Sequence, residues 1–372
     1  MRVMMIAGEA SGDLHGSGVV KEIMKREPDS VIFGIGGDKM RAAGMELIYH
    51  IKEISVMGFL EVLQHLPLLR SVEHTMRVLL KLKKPDVLVL IDYPGFNLRF
   101  AKIAREAGMK IVYYISPQVW AWHAGRVKKM KSIIDKMLVV FPFEQEIYRR
   151  EGIDAEFVGH PLLEAFTEPQ GHSEFCKRNN FDPQKPILGL FPGSRRQELE
   201  RIFPAMLGAA RILNRMLDIQ IAVGVSSILD YEYVKSFIRD ESSVRLIQHA
   251  TYDLMKNSDL AIVTSGTATL ETAYYQTPMI VVYKTSWLTY LIGRIFVRIK
   301  NISLANIVAG EKIVPEILQS KVTPENLAFH ASKLLENTDE RKKMSEKMAV
   351  IRERLGSKGA SVRVADSILS MK

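Results

Sequence analysis

The densest chemistry in the chain lies in residues 260–276, LAIVTSGTATLETAYYQ. A short apolar run over 260–263 meets Thr264, Ser265, Gly266 and Thr267, after which Leu270, Ala273 and Tyr274 recur at helical spacing until Pro278. This is a strand, a tight turn and a helix start. Gly266 permits the sharp turn, Ser265 or Thr267 can cap the helix, and the free N–H groups of its first turn face any anion placed there. Glu271 follows about one turn later, where a carboxylate can accept both hydroxyl protons of a ribose diol. A capped helix behind a buried strand would use the same residues, so this stretch alone leaves both readings open. A second such turn, Pro192-Gly193-Ser194-Arg195, follows the apolar run 187–191 and precedes Arg196-Gln197-Glu198. Arg195 adds a fork of donors suited to phosphate. Both turns fall in the same part of the chain, so they can converge on one pyrophosphate.

The groups able to move a proton lie in the amino-terminal half. Asp92 ends the apolar run 86–91 (DVLVLI) and leads into Tyr93-Pro94-Gly95-Phe96-Asn97, a position suited to a general base or to binding substrate hydroxyls. A solvated loop aspartate is the alternative. Glu9, Asp13 and His15 lie in a glycine-rich turn, GEASGDLHG, directly after the apolar run 2–7. Its glycines are not spaced GxGxxG, so a dinucleotide site is not expected. Capping by Ser11 or Asp13 accounts equally well for the polar residues there. His160, beside Pro161, could be catalytic, but a histidine packed at a hinge is the preferred reading.

These turns need strands and helices to hold them. Buried strands are expected over 2–7, 31–35, 86–91, 110–115, 136–140 and 156–161, and a second series over 187–191, 219–223, 244–247, 260–263 and 279–283, with helices between. That alternation is the pattern of doubly wound parallel sheets. The polar linker before Pro186 divides the chain into a first domain over 1–165 and a second over 166–344, with the charged helical segment 345–372 folding back to cover the first domain.

Length and composition agree: 372 residues, 47% of them hydrophobic, suffice for two cored domains. A single cysteine, Cys176, excludes an internal disulfide framework and a cysteine-based zinc cluster, which fits a reducing cytosol. No apolar run reaches transmembrane length, and the amino terminus reads as a first strand, not a signal peptide. The net charge of +9 favours anionic partners. Three segments combine apolar or aromatic residues with cations: around Met57 and Phe59, around Trp120 and Trp122, and from Trp287 to residue 300. Each is either core or a lipid or membrane contact, and the tryptophan pair with its cations suits anionic headgroups or stacking on a sugar. Nucleic acid is a rival partner for the cationic patch, but no recognition motif accompanies it.

The motifs GEASGDLHG, SVMGFLEVL, DYPGFN, SPQVWAWHAGRVKKM, FPFE, FVGHP, PGSRRQE, TSGTATLE, SLANIVAG and VPEILQ occur in the order seen in the lipid-A-disaccharide synthase family, which the chain resembles from end to end. The resemblance implies a GT-B glycosyltransferase with two Rossmann-like domains facing across a cleft, an acceptor side in the first domain and a UDP-sugar donor site in the second. It implies condensation of UDP-2,3-diacylglucosamine with 2,3-diacylglucosamine 1-phosphate into a β-1,6-linked disaccharide, with release of UDP. The place implied is the cytoplasmic face of the inner membrane in bacteria that build an outer membrane, without a transmembrane anchor, and relatives suggest a homodimer. By resemblance Glu271 holds the ribose, Asn306 and Gln319 line the donor pocket, and Gly193, Ser194, Arg195, Ser265, Gly266 and Thr267 receive the pyrophosphate. Asp92 is the first choice of base, with Glu9 and His15 behind it. No cofactor is implied, and the sequence has no D-x-D pair to carry a metal. The chain departs from many relatives at Gly95, where they have an acidic residue, and at Ala305, where they have proline. A UDP-sugar 2-epimerase of the same architecture is the rival enzyme, and would need no acyl-binding surface.

Overall fold

The computed structural model describes residues 1–54, 66–117, 125–238, 243–287, 290 and 301–371. The chain divides into two compact units, residues 1–164 with 355–372, and residues 165–354.

The first unit is built on seven parallel strands: β1 (Arg2–Ala7), β2 (Val31–Gly36), β3 (Glu46–His50), β4 (Val87–Ile91), β5 (Lys110–Tyr114), β6 (Lys136–Val139) and β7 (Ala155–Phe157). Their spatial order is β3-β2-β1-β4-β5-β6-β7. Strand β4, VLVLI, is buried at every position, as expected of a central parallel strand covered on both faces. Met4, Ile6, Phe33, Ile35, Leu88 and Leu90 form the middle of the core. Helices α1 (Ala10–Arg26), α2 (Asp38–Ala42) and α3 (Pro94–Glu106) start at the carboxyl ends of β1, β2 and β4. The carboxy-terminal helix Ala360–Leu369 packs on α1, and Gly18 makes room for it, since a Cβ there would lie 2.4 Å from Ser361 Oγ.

The second unit repeats the plan with six parallel strands: β8 (Ile187–Phe191), β9 (Gln220–Val225), β10 (Val244–Gln248), β11 (Leu260–Thr264), β12 (Met279–Tyr283) and β13 (Glu316–Leu318), in the order β10-β9-β8-β11-β12-β13. Helices α4 (Arg196–Met216), α5 (Thr267–Tyr274) and α6 (Leu304–Ala309) follow β8, β11 and β12 in the chain. Both units are therefore Rossmann-like, and in both the strand order reverses beside the first strand of the unit.

Two edge strands depart from the sequence reading. β3 and β13 were not anticipated, because β3 is only half covered and β13 has three residues. Neither carries the long apolar run that marks the central strands, and each is defined by pairing with its neighbour. The charged tail after Pro324 is two helices, Pro324–Glu336 and Thr338–Leu355, before the break that precedes Ala360.

Candidate active site

In the first unit the order reversal lies between β1 and β4, where open α/β sheets bind ligands at their carboxyl ends. Glu9 leaves β1 there as the N-cap residue of α1, exposed and with no side-chain capping bond. Asp92 leaves β4 there. Its N–H donates to Tyr114 O at 3.0 Å, continuing the ladder by one residue. Both Asp92 and Tyr93 then take left-handed backbone conformations, with φ of +48° and +49°. Burial and the nearby Glu9 carboxylate push the Asp92 carboxyl up to about 6, against a smaller opposing effect of the Tyr93 backbone N–H. A carboxyl poised near neutrality is what a general base requires.

Asp13 does something else. Its carboxylate is buried and accepts from the backbone N–H groups of Gly37, Lys39 and Met40 at 2.8, 3.1 and 2.9 Å. It caps α2, the neighbouring helix, rather than its own. His15 is half-buried, and burial together with the Lys39 ammonium holds its imidazole down to about 4. It is a neutral imidazole at pH 7, able to accept a hydrogen bond but a weak acceptor of a proton. His160 is buried, accepts the Leu162 N–H on Nδ1 at 3.1 Å and packs its ring 5.1 Å from Phe141. Burial, then His15, holds it down to about 3. Gly95 is exposed with open space where a Cβ would stand, so a larger residue there would meet no clash.

In the second unit the order reversal lies between β8 and β11, and the two phosphate-type turns are the segments leaving those strands. They differ in one decisive respect. After β8, Glu198 reaches back so that its Oε2 accepts from Ser194 N at 3.0 Å and Arg195 N at 3.2 Å, while Oε1 pairs with Arg195 Nη1 at 3.3 Å. Gly193 has φ +111°, and a Cβ on it would fall 2.4 Å from Glu198 Oε2. The turn's backbone donors thus hold an internal carboxylate, and the mostly exposed Arg195 guanidinium is what the turn offers outward.

After β11 the turn is open. Gly266 is the N-cap of α5 with no side-chain capping bond, and Thr267 is exposed. Ser265 does not cap the helix as the sequence allowed; its hydroxyl donates to Ile302 O at 3.2 Å. Glu271 lies one turn in, accepting from the Tyr252 hydroxyl at 3.3 Å. Burial pushes its carboxyl up to about 7, with that hydroxyl opposing.

Asn306 and Gln319 separate. Asn306 is fully buried; its Nδ2 donates to Val314 O and Glu316 Oε1, and its Oδ1 accepts from Ile313 N and Val314 N. Every polar direction of the amide is used to shape the loop before β13, so its side chain has nothing left for a ligand. Gln319 leaves β13 with φ +52°, accepts Thr285 N on Oε1 at 3.2 Å, and has a buried Nε2 without a partner among the described residues. That donor remains available at the ligand edge of the sheet.

Of the segments expected to touch lipid, Met57, Phe59, Trp120 and Trp122 lie outside the described residues. Trp287 is 72% exposed, with the Tyr290 ring 6.1 Å away. No helix among the described residues is long and apolar enough to cross a membrane, and none of them form a group of three or more His, Cys, Asp or Glu side chains placed to hold a metal ion. The sequence reading missed Tyr113, Asn97, Glu198 and Tyr252. Only Asn97 and Glu198 carried a local signal, each standing in the first turn of a helix beside a named candidate.

A family model described as lipid-A-disaccharide synthetase matches residues 3–367. A lipid-A-disaccharide synthase from Geobacter metallireducens is 43% identical over 372 residues, covering 100% of this chain and 97% of the relative. Among solved structures, UDP-GlcNAc 2-epimerase from Neisseria meningitidis bound to UDP-GlcNAc superposes with TM-score 0.64 at 14% identity, covering all of both chains. The calicheamicin glycosyltransferase superposes with TM-score 0.62 at 14% identity, covering 100% of this chain and 98% of its own. These two likenesses concern the fold alone.

Proposed function

This chain belongs to the lipid-A-disaccharide synthase family of UDP-sugar glycosyltransferases, and on that premise we propose that it joins UDP-2,3-diacylglucosamine to 2,3-diacylglucosamine 1-phosphate. The single observation that carries the assignment of roles is that Glu9 and Asp92 flank the order reversal of the first sheet, and Arg195 and Gly266 that of the second. Asp92 then acts as the base. It takes the proton of the acceptor 6-hydroxyl as that oxygen bonds to the anomeric carbon, opposite the bond to UDP, which breaks. The product is the inverted, β-1,6-linked disaccharide, and the proton resides on the Asp92 carboxyl.

The negative charge that develops on UDP is met by the Arg195 guanidinium and the uncapped start of α5. Glu271 accepts the ribose hydroxyls, and Gln319 Nε2 supplies a further donor. Asn306 fixes the loop before β13 and makes no ligand contact. Both substrates are acylated anions, which suits a basic chain with an exposed tryptophan and a peripheral place on the cytoplasmic face of the inner membrane.

A product assay tests the reading: purified full-length protein with both substrates, followed by mass spectrometry. Disaccharide and UDP in equal amounts support it. UDP-sugar consumed to an epimer, with no disaccharide, would replace it by the epimerase reading.

A further inference from the structure

We infer that Tyr113 and Asn97 are positioning residues for catalysis: their side chains clamp the Asp92 carbonyl oxygen and so hold the Asp92 carboxylate at the end of β4 in its reactive placement. The inference rests on Asp92 being the base.

The segment after β4 turns through two successive left-handed residues that are not glycine. Side-chain crowding makes that backbone unfavourable at each, so it persists only where its surroundings over-determine it. Here they do. The Tyr113 hydroxyl donates to Asp92 O at 2.6 Å, and Asn97 Nδ2 donates to the same oxygen at 2.7 Å and to Ile91 O at 3.2 Å. Both donors are fully buried, Tyr113 on the adjacent strand β5 and Asn97 in the first turn of α3. Burial raises the Tyr113 phenol well above its usual range, so it remains a donor at any working pH.

The other side of the turn is closed by Tyr93. Its hydroxyl donates to Ile54 O at 3.3 Å, and its ring covers Gly8 so closely that a Cβ on Gly8 would lie 2.2 Å from ring carbons. Gly8 directly precedes Glu9, so the packing that fixes the turn also fixes the spacing of the two carboxylates. Three elements, β1, β5 and α3, thereby agree on one position for Asp92. A displacement of about 1 Å at a reacting group can lower a rate by about a hundredfold without altering substrate affinity.

The test compares Tyr113→Phe, Gly8→Ala and Asp92→Asn in the full-length protein with both acylated substrates, measuring kcat, KM for the UDP-sugar and the pH dependence of kcat. Tyr113→Phe should lower kcat by roughly ten- to a hundredfold, leave KM within about twofold, and move the acidic limb of the profile to lower pH as Asp92 relaxes away from Glu9 toward water. Gly8→Ala, which displaces the Tyr93 ring instead, should give the same signature by an independent route. A merely structural role would reduce the yield of folded enzyme and leave the limb where it is. Wild-type kcat and profile in Tyr113→Phe, with Asp92→Asn inactive, would overturn the positioning role and spare the base. Activity retained in Asp92→Asn would overturn both.

Discussion

Asp92 and Glu271 are carboxyls that the fold keeps from ionising easily, and that sets how each responds to pH. As the proposed base Asp92 must be ionised, so on that reading kcat should fall about tenfold per unit below pH 6 and level off above it. Asp92→Asn should cost roughly 10²–10⁴-fold in kcat. The same residue opposes folding. Its folded value lies above the unfolded 3.8, so its contribution to stability is intact below pH 3.8 and lost as pH rises through about 6. Asp92→Asn should therefore be more stable than the wild type at pH 8, by about 1–2 kcal/mol, and not at pH 4, as read from denaturant midpoints. In the proposed role Glu271 accepts the ribose hydroxyls in its ionised form, so on that reading UDP should bind more tightly as pH rises through about 7. Tyr252→Phe removes the hydroxyl that favours the ionised form, and calorimetry should show that transition displaced to higher pH.

At the scale of elements, two strand-turn-helix units of similar sequence reach different states because of one side chain. Glu198, in the first turn of α4, fills the backbone donors of its own turn, whereas α5 follows the N-cap Gly266 and has no such group. A phosphate approaching Arg195 meets the Glu198 carboxylate beside it. Glu198→Gln should tighten UDP binding severalfold by removing that like charge, while destabilising the protein by about 1 kcal/mol through the weakened cap. Calorimetry and denaturant unfolding read the two effects separately. The loop before β13 makes the opposite case. Asn306→Ala would leave the N–H groups of Ile313 and Val314 unpaired, costing about 2–4 kcal/mol for the two. The folded fraction should bind UDP with unchanged affinity, since the Asn306 amide is spent on the loop.

At the scale of the whole molecule, the chain leaves the first unit after Glu164 and re-enters it at Leu355. The returning segment is secured within that unit. Glu164 accepts from Ser361 N at 2.8 Å and from Ser361 Oγ at 2.7 Å, Arg363 donates to the carbonyls of Val158, Ser357 and Lys358, and His160 N donates to Leu355 O. Glu164→Ala should speed hydrogen exchange over residues 360–369 and lower unfolding stability by about 1–3 kcal/mol. Exchange unchanged in that helix would mean that its apolar packing on α1 suffices.

The sequence by itself determined the alternation of buried strands and helices, because continuous apolar runs bounded by glycine and proline turns are local signals. It also determined which residue types stand at the strand ends: Glu9, Asp92, Arg195 and Gly266 were all legible there. Edge strands β3 and β13 were not, since pairing with a neighbour and not local pattern makes them strands. The order of the strands was decided only by tertiary structure, and with it the placing of β1 beside β4 and of β8 beside β11, which gathers residues more than 70 positions apart at one sheet edge. The environments were decided there as well. Burial and a carboxylate distant in sequence set the proton affinity of Asp92, Tyr113 reaches its carbonyl from the next strand, and Asn306 spends its amide on a loop. A side chain's chemistry is local, but its solvation and its partners are not, and those choose between a binding group and a structural one.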